Sequence, residues 1–317
     1  MPAPAHLIIA YAAGASEACH KTLQGLALPH LQRLLARLTM QPAASGAQTS
    51  YSTPHERALA QALGLPCADG RIPWAAWHRH SLGLPADAQA WAFVTPCQWQ
   101  VGADHVSLCD PEALGLDEAA SRALLAIVAP WFAQDGIHLH YDQPTRWLAR
   151  SEWFATLATA SLERALLRDL RPWLPDARAA RPLHRLHSEM QMLLHTHAFN
   201  GARAERAQPP VNAFWVHGAG PLPRPAPDPG APLPTLSHAL RDAALRADWS
   251  AWGSAWTTLD AGPVAELLRQ AASGQSVRLT LCGECHAIGW HSAPRGLARR
   301  IRSYFKPLRM TDLQAML

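Results

Sequence analysis

Lysine is almost absent from this sequence. Lys21 and Lys306 are the two lysines among 317 residues, and arginine supplies the other permanently charged basic side chains. Long apolar runs are also missing, because the most apolar early stretch, residues 7–15, is about half as long as a bilayer-spanning helix. That stretch has no basic flank before it and no cleavage pattern after it. These absences predict a cytoplasmic protein without a membrane segment, whose six cysteines are reduced.

The composition is that of a folded protein. Hydrophobic residues make up 49% and charged residues 16%, which excludes a disordered or collagen-like chain. The length allows one large domain or two modest ones. Arginine suits phosphate and carboxylate and so allows a small anionic ligand, although a bias in base composition is the favoured explanation of the arginines. The basic cluster at residues 295–302 is too small to predict a nucleic-acid partner.

The order of elements predicts an α/β fold. The first quarter of the chain contains a buried strand at 7–11, a helix at 26–38, a polar loop at 41–50 and a helix from Ser52–Thr53 to Gly64. The middle contains two antiparallel strands, 91–94 and 105–108, around a turn at 102–104, and further strands at 137–141, 146–149 and 211–216. Its helices are at 118–132, capped by Asp117, and at 158–170 and 183–195. After seven prolines at 221–234, helices are predicted near 237–246 and 263–272, strands at 277–281 and 287–290, and a final helix.

Familiar catalytic motifs are missing. The chain has no G-x-S-x-G, no Walker loop and no G-x-G-x-x-G. Cys282, Cys285 and His286 match a haem-attachment pattern and half of a zinc ribbon, but a second cysteine pair is lacking. The histidines at 184, 187, 195 and 197 lack a carboxylate at helical spacing on the same face. We therefore predict no catalytic residue, no metal and no cofactor.

Four polar residues are the candidate ligand-binding residues: Arg146, Asn200, Arg203 and Asn212. Asn212 opens a predicted strand that ends at Gly218–Gly220, and residues at the carboxyl end of such strands line ligand crevices. The alternative is structural, because Asn and Arg side chains also satisfy loop carbonyls.

The pattern H-x-x-N-x-x-R followed by P-x-N-x-x-W-x-x-G-x-G resembles archaeal-type cofactor-independent phosphoglycerate mutases, which belong to the alkaline phosphatase superfamily. A closer resemblance is to the RpfE-type regulatory proteins of proteobacteria, carried by residues 53–57, 69–76, 141–148 and 189–194. The resemblance implies a degenerate alkaline-phosphatase-like α/β core, formed by 1–88 and 211–317, with a smaller inserted α+β domain at 89–210.

The chain lacks two metal-binding features of the mutase pattern, and their absence affects the expected function. The mutases end their first strand with a metal-binding Asp-Gly, whereas this chain has Ala13–Gly14, and it lacks a late Asp-His pair. Ser52 or Thr53 is then a helix cap and not a nucleophile. The expected function is that of a ligand-binding or regulatory module that has lost phosphotransfer. The alternative is an active phosphomutase or phosphatase with an altered metal site drawn from His217, Cys282, His286 and His291.

Overall fold

The computed structural model describes residues 4–176, 180–293, 312–313 and 316–317. Its helices are α1 Glu17–Gly25, α2 Pro29–Arg37, α3 Pro54–Leu63, α4 Trp74–Ser81, α5 Glu118–Gln134, α6 Leu162–Ala165, α7 Arg181–His195, α8 Ala198–Glu205, α9 Arg241–Leu245, α10 Trp249–Leu259 and α11 Ala265–Ala272. Its strands are β1 Ala5–Ile9, β2 Thr39–Ser45, β3 Trp91–Cys97, β4 Trp99–Val101, β5 Val106–Leu108, β6 His138–Gln143, β7 Arg146–Arg150, β8 Ala213–Gly220, β9 Thr235–Ser237, β10 Val277–Cys282 and β11 His286–His291. The final predicted helix lies in a segment that is largely outside the described residues.

The chain is mixed α/β and forms two compact units. Unit 1 comprises Met1–Gln48, Thr53–Leu63 and Gly230–Leu317, and unit 2 comprises Thr49–Ser52 and Gly64–Pro229. The domain ranges that we derived from the sequence stay predictions. Within the described residues, no helix has the length and apolarity needed to cross a membrane.

Unit 1 is built on a five-stranded sheet with the order β2-β11-β10-β1-β9. β1 pairs in parallel with both β10 and β9, while β11 runs antiparallel to β10 and β2. Because side chains alternate along a strand, Leu7 and Ile9 pack into the core formed with α1, α2, α10 and α11. Ile8 points to the opposite face, where it packs with Ala58 of α3.

Two predictions for unit 1 differ from the structure. The helix expected at 26–38 is α2, which begins only at Pro29, because Pro29 favours the first helical position and restricts Leu28 before it to a non-helical conformation. Helix α1, which precedes it, was not predicted. The first half of the polar loop expected at 41–50 belongs to strand β2, which lies at the sheet edge and pairs with β11. Pro42 is tolerated there, since an edge strand needs fewer ladder hydrogen bonds.

Unit 2 is built on a four-stranded antiparallel sheet with the order β6-β7-β3-β8. One face carries Val94, Trp147 and Phe214, which pack into a core with α5 and α7. α4 contacts β3 and β8. Gly218, in the left-handed conformation at φ 63°, would place a Cβ only 3.0 Å from the Cβ of Trp74. The glycines at the end of β8 thus make room for the segment around α4.

Two predictions for unit 2 were also wrong. Strand β5 pairs with β4 in a separate hairpin and not with β3. The helix expected at 158–170 shrinks to α6, because Leu166 and Asp169 form bridges with β5 instead. Leu167 donates its main-chain N–H to the carbonyl of Leu108, and its φ of 58° is incompatible with a right-handed helix. Pairing with a distant strand has overridden local helix propensity.

Candidate functional site

The carboxyl ends of β1, β9 and β10 meet at one edge of the unit 1 sheet, the position at which α/β proteins bind ligands. Directly after β1, Tyr11 adopts a left-handed conformation with φ 56°, which is costly for a bulky residue. Two hydrogen bonds hold this turn. The indole Nε1 of Trp252 donates to the Tyr11 carbonyl at 2.9 Å, and the Ala12 N–H donates to the Cys282 carbonyl at 2.7 Å.

Thr53 begins α3 as a capping box. Its main-chain N–H donates to the Glu56 carboxylate at 2.8 Å, and its hydroxyl accepts the Glu56 N–H at 3.4 Å. The same hydroxyl also donates to that carboxylate at 3.0 Å and lies 3.1 Å from Nε2 of His55. The prediction that Thr53 caps this helix is confirmed.

The imidazole of His55 lies between two other rings of unit 1. Its centroid is 5.6 Å from that of Tyr11 and 5.6 Å from that of His238, which follows β9. A ring nitrogen of His55 lies within 4.8 Å of one from His238. Two imidazoles at this separation are able to share a metal ion as two of its ligands.

A two-metal phosphotransfer site does not fit these strand ends. Such a site needs several aspartate and histidine ligands. β1 is followed by the buried apolar pair Ala12–Ala13, and Glu284 is the one acidic residue in the segments directly following β1, β9 and β10. The described residues at these strand ends therefore lack the ligands for two metal ions.

The alternative ligand set from the sequence is dispersed in the structure. His286 and His291 occupy opposite ends of β11, about 17 Å apart at 3.3–3.4 Å per residue. Cys282 is fully buried, and burial raises the pKa of its thiol, so it stays protonated. His217 belongs to unit 2, where burial, and then the charge of Arg146, lower its pKa to about 3.

Arg146 lies in a partly buried ionic cluster of unit 2. Its Nε and Nη2 donate to the Asp142 carboxylate at 2.9 and 2.8 Å, while the other Asp142 oxygen is 3.1 Å from Nε2 of His78. The guanidinium is also 4.8 Å from the Phe93 ring centroid. Burial raises the pKa of Asp142, but the hydrogen bonds from His78 and Arg146 outweigh burial and hold it below its usual value.

The sheet face around this cluster is rich in basic groups. Alternation along β6 and β7 places His138, His140 and Arg150 on the same side of the sheet as Arg146. Burial, followed by the charges of Arg150 and Arg79, lowers the pKa of His140. We call the surface formed by Arg79, Arg146 and Arg150 with His78, His138 and His140 the basic face.

The other three predicted ligand residues bind the main chain. The Asn200 side chain donates to the carbonyls of Leu194 and Val211 and accepts the Val211 N–H. The buried Arg203 donates to the carbonyls of Pro209 and Leu114. Asn212 accepts the N–H of Trp99 at 2.7 Å and donates to its carbonyl at 2.9 Å. A ligand-binding role for these three stays a prediction.

Sequence reasoning missed His78, His55 and His238. The first precedes its partner Asp142 by 64 positions, and no local spacing links them. His55 and His238 are brought together by the parallel pairing of β1 with β9. One local signal was present, because each of these two histidines lies directly at a helix start or strand end.

No family model and no curated protein matches the chain. Among solved structures, the chain is similar to the cofactor-independent phosphoglycerate mutase of Thermoplasma acidophilum, with 14% identity and a TM-score of 0.34 over 90% of this chain and 89% of that one. It is also similar to the PH0037 protein of Pyrococcus horikoshii, with 12% identity and a TM-score of 0.43 over 99% and 96% of the two chains. One of these two neighbours is a cofactor-independent phosphoglycerate mutase, whereas the resemblance to RpfE-type proteins stays a prediction.

Proposed function

We propose that this chain is a phosphoglycerate-mutase-like protein that binds a small anion, needs no metal or cofactor, and does not catalyse phosphotransfer. The observation that carries the proposal is the segment after β1, where Ala13, followed by Gly14, stands in place of the metal-binding aspartate of the mutase pattern. Phosphotransfer of this kind depends almost wholly on positioning and charge neutralisation, so loss of a metal lowers the rate by orders of magnitude.

The basic face of unit 2 is the proposed anion site, with Arg146 as its principal contact. Arg146 uses Nε and Nη2 for Asp142, and within the described part of the chain its Nη1 makes no hydrogen bond. A guanidinium with a remaining donor beside other basic groups favours phosphate or carboxylate. Asn200, Arg203 and Asn212 support this unit by holding its loops. A regulatory role would act through occupancy of this site.

Titration calorimetry with inorganic phosphate and with 3-phosphoglycerate tests the proposal. We expect binding of at least one of these anions, weakened tenfold to a hundredfold by Arg146→Ala, because a hydrogen bond to a charged group contributes about 1.5–3 kcal/mol. Arg122→Ala is the matched control, since Arg122 lies on the exposed side of α5 and pairs with Glu118. Equal loss of affinity in both variants, or binding by neither wild type nor variants, would contradict the assignment.

The alternative function is that of a phosphatase with an altered metal site. The pair His55–His238 favours it, because the two imidazoles lie within reach of one ion and beside the Thr53 hydroxyl. Elemental analysis together with hydrolysis of p-nitrophenyl phosphate under added manganese or zinc distinguishes the two functions. Our proposal predicts no bound metal and no turnover. Metal-dependent turnover that disappears in His238→Gln would establish the alternative, and exposed His238 can be replaced without disturbing the core.

A further inference from the structure

A groove with a basic lining lies in unit 1, between α2 and α11. Its volume is about 1140 Å³, and its basic side chains are His30, Arg33 and Arg37 from α2 and Arg269 from α11. Its apolar lining includes Ala36, Leu268 and Ala272. Among the described residues that line this α2–α11 groove, none is acidic.

Arg33 and Arg37 are one helical turn apart on the exposed side of α2. Like charges at this spacing repel and destabilise a helix. Within the described residues neither guanidinium has an ion-pair partner, whereas Arg269 pairs with Glu266. An anion bound between Arg33 and Arg37 would relieve the repulsion, and binding to the folded state alone would stabilise it.

The third basic group on α2, His30, is held in place by Asp260. The buried Asp260 carboxylate accepts the main-chain N–H groups of His30 and Leu31 at 3.2 and 2.7 Å, which caps the start of α2. It also lies 3.0 Å from Nδ1 of His30. Because this contact occupies Nδ1, Nε2 is the ring nitrogen left for a ligand in the groove.

Asp260 lies in an unusual stretch of backbone. It opens a π-helical turn, Asp260–Val264, which joins α10 to α11. Pro263 within this turn has no N–H to donate, so the regular helical hydrogen-bond ladder cannot continue through it. Such turns are frequent at functional sites, and this one places the carboxylate against His30.

We propose that the α2–α11 groove binds an organic di- or triphosphate, with its phosphates on Arg33, Arg37 and His30 and its uncharged part on Ala36, Leu268 and Ala272. His30, Arg33 and Arg37 follow one another along about two turns of α2. Such a row of basic groups matches adjoining phosphates, because arginine binds phosphate oxygens bidentately. The apolar lining favours an ester over an inorganic anion. No aromatic side chain lines the groove among the described residues, and a single-stranded nucleic acid would use one for stacking.

Titration of the full chain with ADP by isothermal calorimetry tests this proposal. We expect ADP to bind, and Arg33→Ala and Arg37→Ala each to weaken binding about tenfold. Arg168→Ala is the control, because Arg168 is an exposed arginine outside the groove and should leave affinity unchanged. The double variant Arg33→Lys/Arg37→Lys keeps both charges and removes the bidentate donors, so its affinity should lie between those of wild type and the alanine variants.

Three results would overturn the proposal. They are no ADP binding by wild type at millimolar concentration, unchanged affinity in the Arg33→Ala/Arg37→Ala double variant, and inorganic pyrophosphate binding as tightly as ADP. Equal affinity for pyrophosphate and ADP would show that the apolar lining does not contribute to binding. Arg146→Ala should keep the ADP binding that depends on Arg33 and Arg37, and the Arg33→Ala/Arg37→Ala variant should keep the phosphate binding that depends on Arg146, so the two proposals fail separately.

Discussion

Arg203 differs from its neighbour Arg206 in what its guanidinium contacts. The buried Arg203 donates to two main-chain carbonyls, whereas Arg206 is exposed on the surface near the end of α8. We expect Arg203→Ala to lower the free energy of unfolding by about 1–3 kcal/mol, because the carbonyls of Leu114 and Pro209 lose their donor. Arg206→Ala should change it by less than about 0.5 kcal/mol.

Urea denaturation of both variants checks this prediction. A destabilised Arg203→Ala protein supports the structural role over a ligand contact. An Arg203→Ala protein that keeps wild-type stability but fails to bind inorganic phosphate would show that Arg203 contacts the ligand.

Strand β8 carries a bulge that depends on one glycine. The β3–β8 pairing shifts register between Trp91 and Phe93, opposite Gly218 and its neighbours. Gly218→Ala would place a methyl group 3.0 Å from Trp74 in a left-handed conformation, so we expect a loss of about 1–3 kcal/mol in stability. A methyl group added at Gly201 in α8 would meet nothing within 4 Å, and Gly201→Ala should instead stabilise the protein by about 0.4–1 kcal/mol.

Thermal and urea unfolding of the two glycine variants gives the comparison directly. The expected outcome is a change of opposite sign in the two variants. Equal stability of Gly218→Ala and wild type would show that α4 moves away from β8 at no cost.

Buried histidines make the whole molecule sensitive to acid. Burial is the largest cause that lowers the pKa of His6 and His187 to about 4 and of His217 to about 3, from 6.5. The fold favours their neutral forms, so this stability is fully present above pH 6.5 and is lost as pH falls toward 4. The free energy of unfolding should therefore decrease by up to about 1.4 kcal/mol per pH unit for each histidine in that window.

Urea unfolding between about pH 4.5 and about pH 7, which spans most of this window, tests the assignment with two variants of α7. His187→Gln should flatten the dependence on pH, because it removes one titrating group. His195→Gln should not, since His195 is exposed at the end of the same helix. Equal slopes in wild type and His187→Gln would contradict a neutral, buried His187.

The sequence alone determined the elements whose signals are local. The apolar run of β1, the capping box at Thr53 and the cap at Asp117 of α5 each depend on residues within one or two turns, and each was predicted correctly. The missing carboxylate after β1 was equally visible in the sequence. The prolines after β8 also act locally, because proline has no N–H to donate, and they excluded a helix there.

Only the tertiary structure decided the remainder. Strand β2 exists because β11 pairs with it, and Leu166 and Asp169 leave the helical conformation because β5 pairs with them. His78, Asp142 and Arg146 meet across an α4–sheet contact, and His55 meets His238 through the pairing of β1 with β9. Contacts between residues far apart in sequence depend on strand register and packing, which local residue patterns do not specify.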